Sequence, residues 1–317
     1  MNAGTSQELI SIAMCTFQGE RFLAAQLESL LAQTWDKLEI VVVDDGSSDA
    51  TVAIVQSYAL KDSRIRLYQN PFNLGINANF SRALNLCQGA FIAPCDQDDI
   101  WHPEKLARLH ACLGPNLMAY CDSELITAQG APMNMKISDR LHMAQGHNPL
   151  EFAMWNCISG HAMLFRRELL THALPIPPVK FHDWWLAFWA ACVGDIKYLD
   201  QALVQYRQHA GGQTDLARSG QKKEVQNRYH LFKERCQWFS YLAQVPHKHQ
   251  AYLQKLHDLY QAQLHQWFSM ALVQHLRKQS DALLFINKKK SFFRFALKNF
   301  WGMKAKAFFS PHHYQID

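Results

Sequence analysis

The run Leu38 to Val43, largely β-branched and ending directly in Asp44 and Asp45, admits few folds. So continuous an apolar strand must be covered on both faces, as strands are inside a parallel sheet with helices above and below. The flanking sequence follows the same grammar. Ile10 to Cys15 reads as a buried strand, and Gly19 to Gln33 as a helix with Phe22, Leu23, Leu27, Leu30 and Leu31 at helical spacing. Asp49 is placed to cap a helix carrying Val52, Ile54, Val55 and Tyr58, and Ile65 to Tyr68 is a third strand. A helix from about Asn77 to Cys87 stops at Gly89, read as its C-cap, before a fourth strand, Ala90 to Ala93. This alternation predicts an α/β fold with a mostly parallel, doubly wound sheet. Ligands of such sheets bind beyond the carboxyl ends of the strands.

Two acidic clusters stand at those ends: Asp44-Asp45-Gly46-Ser47-Ser48-Asp49 after the second strand and Asp96-Gln97-Asp98-Asp99 after the fourth. Taken singly, Asp44, Asp45 and Asp49 are ordinary turn formers and helix caps. Taken together, carboxylates gathered at neighbouring strand ends repel one another unless a cation or a donor-rich ligand intervenes. A hard divalent ion, Mg²⁺ or Mn²⁺, resolves the conflict by taking one or two carboxylates along with waters and phosphate oxygens. Asp45, one strand over, is placed to accept from an N–H of a base instead. The turn after the first strand, Cys15-Thr16-Phe17-Gln18-Gly19-Glu20, is not a glycine-rich phosphate cradle, and no Walker-type lysine loop occurs. A dinucleotide-dependent dehydrogenase is thereby excluded, and a phosphate ligand here is expected to be neutralised by metal.

The net charge of +5 argues against nucleic acid as a partner. The eight cysteines are scattered without a CxxC pair, which suits reduced core residues in a cytoplasmic protein better than a disulfide framework. No apolar run is long enough to span a bilayer, and Met1 to Leu9 lacks the pattern of a secretory signal.

As an ordered set, these motifs resemble the family 2 inverting glycosyltransferases, which have the A-type fold. Ile12 to Glu20 is similar to that family's opening strand and turn, Val43 to Asp49 to its base-binding segment, and Asn73-Leu74-Gly75 with Asn77 and Asn79 to the loop and helix after its third strand. Asp96 to Trp101 with Pro103-Glu104-Lys105-Leu106 is similar to the bacterial rhamnosyltransferase-like branch. The resemblance implies donor contacts from Thr16, Asp45, Asn73, Gly75 and Asp96, with Glu20 supporting the turn. It makes Asp98 the metal ligand and gives Asp96 and Asp99 to the ribose or the metal shell. Phe17-Gln18 replaces a more usual Tyr-Asn pair, which leaves the base open.

In the second half, Phe181-His182-Asp183-Trp184-Trp185 opens an apolar helix. Asp183 reads either as an N-terminal cap before core tryptophans or as a partly desolvated carboxylate working as a base. The segment resembles the family's acceptor-side acid motif, which makes Asp183 the catalytic base and His182 a residue that orients it. Leu203 to His209 resembles a segment following the branch's last strand, implying that His209 touches metal or leaving phosphate and that Arg207 offsets negative charge. Ala210-Gly211-Gly212-Gln213-Thr214 replaces the Asn expected there and suggests a loop that closes over the donor. With one carboxylate on the reactive face, a single in-line displacement with inversion is expected.

Residues 1–218 are read as the catalytic domain, about 1–115 for the nucleotide sugar and about 116–218 for the acceptor. Residues 219–317 are read as helical, from Val225 to Leu242 and from His249 to Leu284, with a tail mixing aromatics with Lys288, Lys289, Lys290, Arg294, Lys298, Lys304 and Lys306. That tail suits either packing within the protein or peripheral contact with a membrane. The expected activity is transfer of a sugar, rhamnose by preference, from dTDP-rhamnose or a UDP-sugar to a glycan or polyprenyl-diphosphate-linked acceptor in cell-surface polysaccharide synthesis. The competing classes are a nucleotidyltransferase, disfavoured by the missing basic glycine loop, and an inactive nucleotide-sugar or glycan-binding module, disfavoured by the full set of acids.

Overall fold

The computed structural model describes residues 7–212, 228–288 and 291–309. The chain divides into two compact units, Met1–His147 with Cys157–Asp215 and Asn148–Asn156 with Leu216–Asp317. The 218/219 boundary, the start of the helix at Val225, Gln213, Thr214, Lys289 and Lys290 lie outside the described residues.

The first unit opens with β1 (Ile10–Thr16), α1 (Leu23–Leu31), β2 (Leu38–Asp44), α2 (Thr51–Ala59), β3 (Ile65–Gln69), α3 (Ile76–Leu86) and β4 (Phe91–Cys95). All four strands are parallel, in the order β3-β2-β1-β4. The chain thus starts at β1, winds outward to β3 and then crosses to the other side of β1. This reversal leaves a crevice between the carboxyl ends of β1 and β4, where ligands of such sheets bind. The registers Thr16↔Asp44 and Met14↔Cys95 bring the strand ends level, so both acidic clusters emerge on one edge.

Every residue of β2 is buried, as its sequence requires, including Glu39. That carboxylate accepts from Ser11 Oγ at 2.5 Å and from the Gln88 amide at 2.6 Å, and it pairs with Arg66. A buried charge is tolerated when it is both paired and hydrogen-bonded. Gly89 is not a left-handed helix cap: α3 ends at Cys87 in extended backbone. The glycine is needed for close approach, since a Cβ there would lie 2.6 Å from Leu9 O and 2.7 Å from Ser11 N. Gly89→Ala is expected to cost about 2–3 kcal/mol by forcing β1 and the β4 approach apart, measured as a lower urea midpoint at unchanged m-value.

The sheet then becomes mixed. β5 (Ile100–Trp101), α4 (Lys105–Leu113), β6 (Met118–Thr127) and β7 (Pro132–Lys136) precede a short helix, α5 (Glu151–Met154), of the second unit. β8 (Met163–Arg166), α6 (Leu170–Ala173), α7 (His182–Val193) and β9 (Ile196–Gln208) complete the first. β8 pairs antiparallel with β4 and β6, β9 runs parallel to β6, and β5 pairs antiparallel with β9, giving nine strands with β7 on β6. The doubly wound α/β expectation therefore describes β1–β4, and antiparallel pairing carries the sheet onward. β6 turns straight into its antiparallel neighbour β7 with no helix between them, so the strict strand–helix alternation of the first half lapses here.

The second unit is helical: α8 (Arg228–Gln244), α9 (Gln250–Gln263), α10 (Met270–Arg277), α11 (Ser280–Leu284), α12 (Phe292–Phe300) and α13 (Met303–Phe309). Its core includes Trp238, Phe239, Leu253, Leu256 and Tyr260, with Trp238 Nε1 donating to Ala153 O of α5 at 3.1 Å. Among the described residues, all eight cysteines are free and no helix is long and apolar enough to cross a membrane.

Candidate functional site

At the edge where β1, β2 and β4 end, a cleft of about 710 Å³ opens. The β2 acids divide their work. Asp44 organises the turn: its carboxylate accepts from Thr16 Oγ1 at 2.9 Å, from Ser47 N at 2.9 Å and from Gly46 N at 3.2 Å, and Gly46 takes φ +80° to allow it. Asp45 faces the cleft and accepts from Asn70 Nδ2 at 2.6 Å, Leu74 N at 2.8 Å and Gly75 N at 3.0 Å. Asn73 Oδ1 also accepts from Gly75 N, at 3.0 Å, and Gly75 holds φ +85°. Asp45, Asn73 and Gly75 thus form one loop-and-acid assembly on the cleft wall.

Thr16 lines the cleft, but its hydroxyl proton is committed to Asp44. Glu20 is not a cleft residue. Its carboxylate accepts from Ala50 N at 2.9 Å and so caps the start of α2 from outside, alongside Asp49, whose Oδ1 accepts from Thr51 N at 3.0 Å. Gln97 ties β1 to β4: its amide accepts from Phe17 N at 2.9 Å and donates to Phe17 O at 3.0 Å. That reach requires Gly19, where a Cβ would fall 2.2 Å from Gln97 Oε1.

The acids after β4 separate into two groups. Asp98 Oδ2 lies 2.7 Å from His209 Nε2, so the contact joins β4's end to β9's. Burial raises the Asp98 proton affinity and the nearby Asp96 charge raises it further, although His209 acts against both. The second group is Asp96, Asp99 and His161, whose potential ligand atoms lie within 4.8 Å of one another. His161 Nδ1 sits 3.2 Å from Asp96 Oδ2 and 3.1 Å from Asp99 Oδ2, while Nε2 meets Ser123 Oγ at 3.0 Å. Asp99 is fully buried beneath the cleft, with Oδ1 accepting from Arg207 N at 3.0 Å, and burial raises its carboxyl to about 7. It supports the site from below, whereas Asp96 and Asp98 face the cleft.

Among the described residues, the ligand atoms that converge closely enough to share one ion are those of Asp96, Asp99 and His161. Carboxylates of this kind suit Mg²⁺ or Mn²⁺, and Asp98, paired with His209, lines the same cleft.

Sequence reasoning passed over His161 and Lys105. Lys105 is fully buried; its Nζ donates to His161 O at 2.6 Å and stands 2.9 Å from the centroid of the Trp101 ring. Burial lowers its pKa to about 7. Lys105→Met, which keeps the volume, is expected to destabilise the protein by about 3 kcal/mol in chemical denaturation. The loss follows because Asp96 and Asp99 are left without a buried cation and the His161 carbonyl without its donor. In the sequence Lys105 stood only as one letter of the Pro103-Glu104-Lys105-Leu106 motif, with no role of its own, and nothing set His161 apart beyond its place after Ser159-Gly160.

Arg207 is anchored on the cleft floor. Nε donates to Asp98 O at 2.8 Å and Nη1 to Ala128 O at 3.1 Å, and the guanidinium lies 4.9 Å from the Phe22 ring. Phe22 also packs on His209 at 4.8 Å.

The start of α7 also lines the cleft, with the helix beginning at His182 after Phe181 in extended backbone. Asp183 Oδ1 accepts from Trp184 N at 2.6 Å. Burial raises the carboxyl to about 7, the Asp96 charge adds to this, and the Trp184 hydrogen bond opposes it. The expected orienting role of His182 is not seen. Its ring stacks on Phe80 at 3.5 Å, neither ring nitrogen has a hydrogen-bond partner, and burial lowers its pKa to about 4. It fills the space beside Gly160, where a Cβ would lie 2.5 Å from Nε2.

Comparison with known proteins agrees with this geometry. Over 237 residues the chain is 26% identical to an "uncharacterized glycosyltransferase" of Haemophilus influenzae, covering 68% of this chain and 70% of that one. Over 98 residues it is 40% identical to WfgD of Escherichia coli, a UDP-Glc:alpha-D-GlcNAc-diphosphoundecaprenol beta-1,3-glucosyltransferase, covering 31% of this chain and 38% of the relative. The fold matches the 1-349 fragment of TarS from S. aureus solved with UDP-GlcNAc, at TM-score 0.57 and 19% identity over 87% of this chain and 82% of that one. It also matches the mannosyltransferase PcManGT from Pyrobaculum calidifontis, solved with GDP-Man and Mn2+, at TM-score 0.54 and 18% identity over 97% and 83%. The model of glycosyl transferase family 2 matches residues 11–172, just over half the chain, so the chain belongs to glycosyl transferase family 2.

Proposed function

We propose that this glycosyltransferase moves one hexosyl unit, with inversion, from a nucleoside-diphosphate sugar to a hydroxyl of a lipid-linked glycan, acting peripherally at the inner face of a membrane. The observation that carries the reading is the content of one cleft: Asp45, Asp96, Asp98 and His209 line it together with Asp183, a carboxyl on a different element whose proton affinity burial raises. Inversion needs that arrangement: one base for the incoming hydroxyl and a separate set of groups for the departing diphosphate.

Asp98 and His209, with Asp96 beside them, would hold Mg²⁺ or Mn²⁺, which supplies charge neutralisation for the leaving diphosphate. Asp45 and its loop bind the base. Arg207 holds the Asp98 backbone through its Nε bond, keeping that carboxylate aimed across the cleft. Asp183 takes the acceptor proton as the acceptor oxygen bonds to the anomeric carbon and the bond from that carbon to the diphosphate oxygen breaks. Residues 1–218 carry this chemistry, with the donor held by about 1–115 and the acceptor by about 116–218.

For the donor, the similarity to WfgD, whose name specifies UDP-glucose and a diphosphoundecaprenol acceptor, favours a UDP-hexose over dTDP-rhamnose. The setting proposed is cell-surface polysaccharide synthesis in a bacterium. The test is nucleotide release from a panel of UDP-, dTDP- and GDP-sugars with Mn²⁺ or Mg²⁺, with polyprenyl-diphosphate-linked glycan supplied as acceptor. Release from one donor is expected. Neither release nor donor binding by calorimetry across the panel would replace this reading with a non-catalytic glycan-binding module.

A further inference from the structure

The helical unit carries a feature the transfer chemistry does not use. The loop between α9 and α10 and the turn between α12 and α13 are locked together through their backbones. Ser269 N donates to Phe300 O at 2.8 Å, Gly302 N donates to Trp267 O at 2.8 Å, and Phe268 bridges to Trp301. Gly302 permits this approach, since a Cβ there would meet Gln266 O at 2.0 Å.

The clamp displays aromatic rings outward. An unbroken chain of ring contacts runs Phe268–Phe300 at 5.7 Å, Phe300–Trp301 at 5.3 Å, Trp301–Phe309 at 6.4 Å, Phe309–Phe308 at 5.1 Å and Phe308–Trp267 at 5.7 Å. Five of the six rings are exposed, from 43% at Trp301 to 71% at Phe309. A contiguous exposed patch of large apolar side chains marks an interaction site, because solvated rings otherwise cost the fold free energy.

Charge selects the partner. From residue 282 to residue 309 the sequence holds seven cations, Lys288, Lys289, Lys290, Arg294, Lys298, Lys304 and Lys306, and no acid. Arg294, Lys298 and Lys304 are exposed. Lys304 stands one helical turn from Phe308 on α13, so that cation and that ring share a face. The centres of protein–protein interfaces are depleted in lysine. A bilayer surface accepts both at once, with rings at the acyl boundary and ammonium groups among anionic headgroups.

We propose that this clamped aromatic patch, Trp267, Phe268, Trp301, Phe308 and Phe309 with Lys304, is a docking surface for an anionic lipid bilayer. The inference deepens and rests on the membrane location given above, but it uses only residues of the helical unit.

Co-sedimentation of the full chain, without donor, with vesicles of phosphatidylcholine alone and with about 30% phosphatidylglycerol tests it. Binding is expected to the anionic vesicles only, to weaken about tenfold as salt rises from 0.1 to 0.5 M, and to shift tryptophan emission to the blue. Phe308→Ser with Phe309→Ser, both exposed at the end of α13, should lower partitioning by about tenfold or more. Lys304→Glu should lower it for anionic vesicles by several-fold. Both variants should keep the wild-type circular dichroism and donor affinity, so a failure here is separable from failure of the catalytic reading. Equal partitioning of variants and wild type, or no affinity for anionic vesicles, overturns the proposal. So does a stable dimer in light scattering that the serine variant breaks, since the patch would then be covered by a second copy.

Discussion

Asp183→Asn is expected to lower kcat by about 10³-fold while leaving donor affinity within about twofold and raising thermal stability at pH 8. The carboxyl is half-buried in the cleft wall, where burial and the Asp96 charge lift its pKa from 3.8 to about 7. Its ionised form, which catalysis needs, is therefore the form the fold resists. The sign follows from proton counting. Between about pH 4 and 7 the folded chain keeps a proton that the unfolded chain has released, so stability falls as pH rises through that window and stays at the lower level above it. Asparagine carries no such proton. Its melting temperature should match the wild type near pH 4 and exceed it by a few degrees at pH 8. The wild-type rate should climb with pH and level off above about 7, and the variant's residual rate should be flat there. A variant less stable than wild type at pH 8 would mean the carboxylate is structural, and a wild-type rate independent of pH between 5.5 and 8 would remove Asp183 from the base role.

Asp98→Asn is expected to lower kcat/KM by about 10³-fold and to abolish the response of the residual rate to added Mn²⁺. Treatment of the wild type with a chelator should reproduce the loss, and added Mn²⁺ should reverse it. His209→Ala should fall between the two proteins, because it removes one contact to Asp98, at 2.7 Å, and leaves the carboxylate in place. Chelation without effect would exclude a metal role for Asp98 and leave its pairing with His209 as structure.

Much of the donor half was legible because its determinants are local. The apolar run of β2 ends where the acids begin, and a parallel sheet sets those ends on one edge, so the sequence positions of Asp45, Asp96 and Asp98 were enough to place them at the cleft. What escaped depends on residues far apart in sequence. Glu20 reads as a support for its own turn until its carboxylate is seen at the start of α2. Gly89 reads as a helix cap until Leu9 and Ser11 are seen beside it. His161 and Lys105 are 56 residues apart, and only antiparallel pairing of β8 with β4 and β6 sets them under the acids. Single-residue chemistry gave no sign of that pairing. The ordered motifs run to Leu106 and the family match to residue 172, which leaves Asp183 on α7 and β9, with Arg207 and His209, resting on geometry and on shorter motifs.

The brace between Gln97 and Phe17 bears on how this sequence is free to drift. A side chain at position 19 would displace the Gln97 amide from its two bonds to Phe17, so the brace stands only while position 19 is bare. Neither site is therefore an independent letter. Once Gln97 has been shortened to alanine, a methyl at position 19 meets no obstruction from it, so the two substitutions cost less together than their separate effects sum to. Substitution at either position gives up the same pair of hydrogen bonds, so one amide group couples two letters of the sequence that stand 78 residues apart.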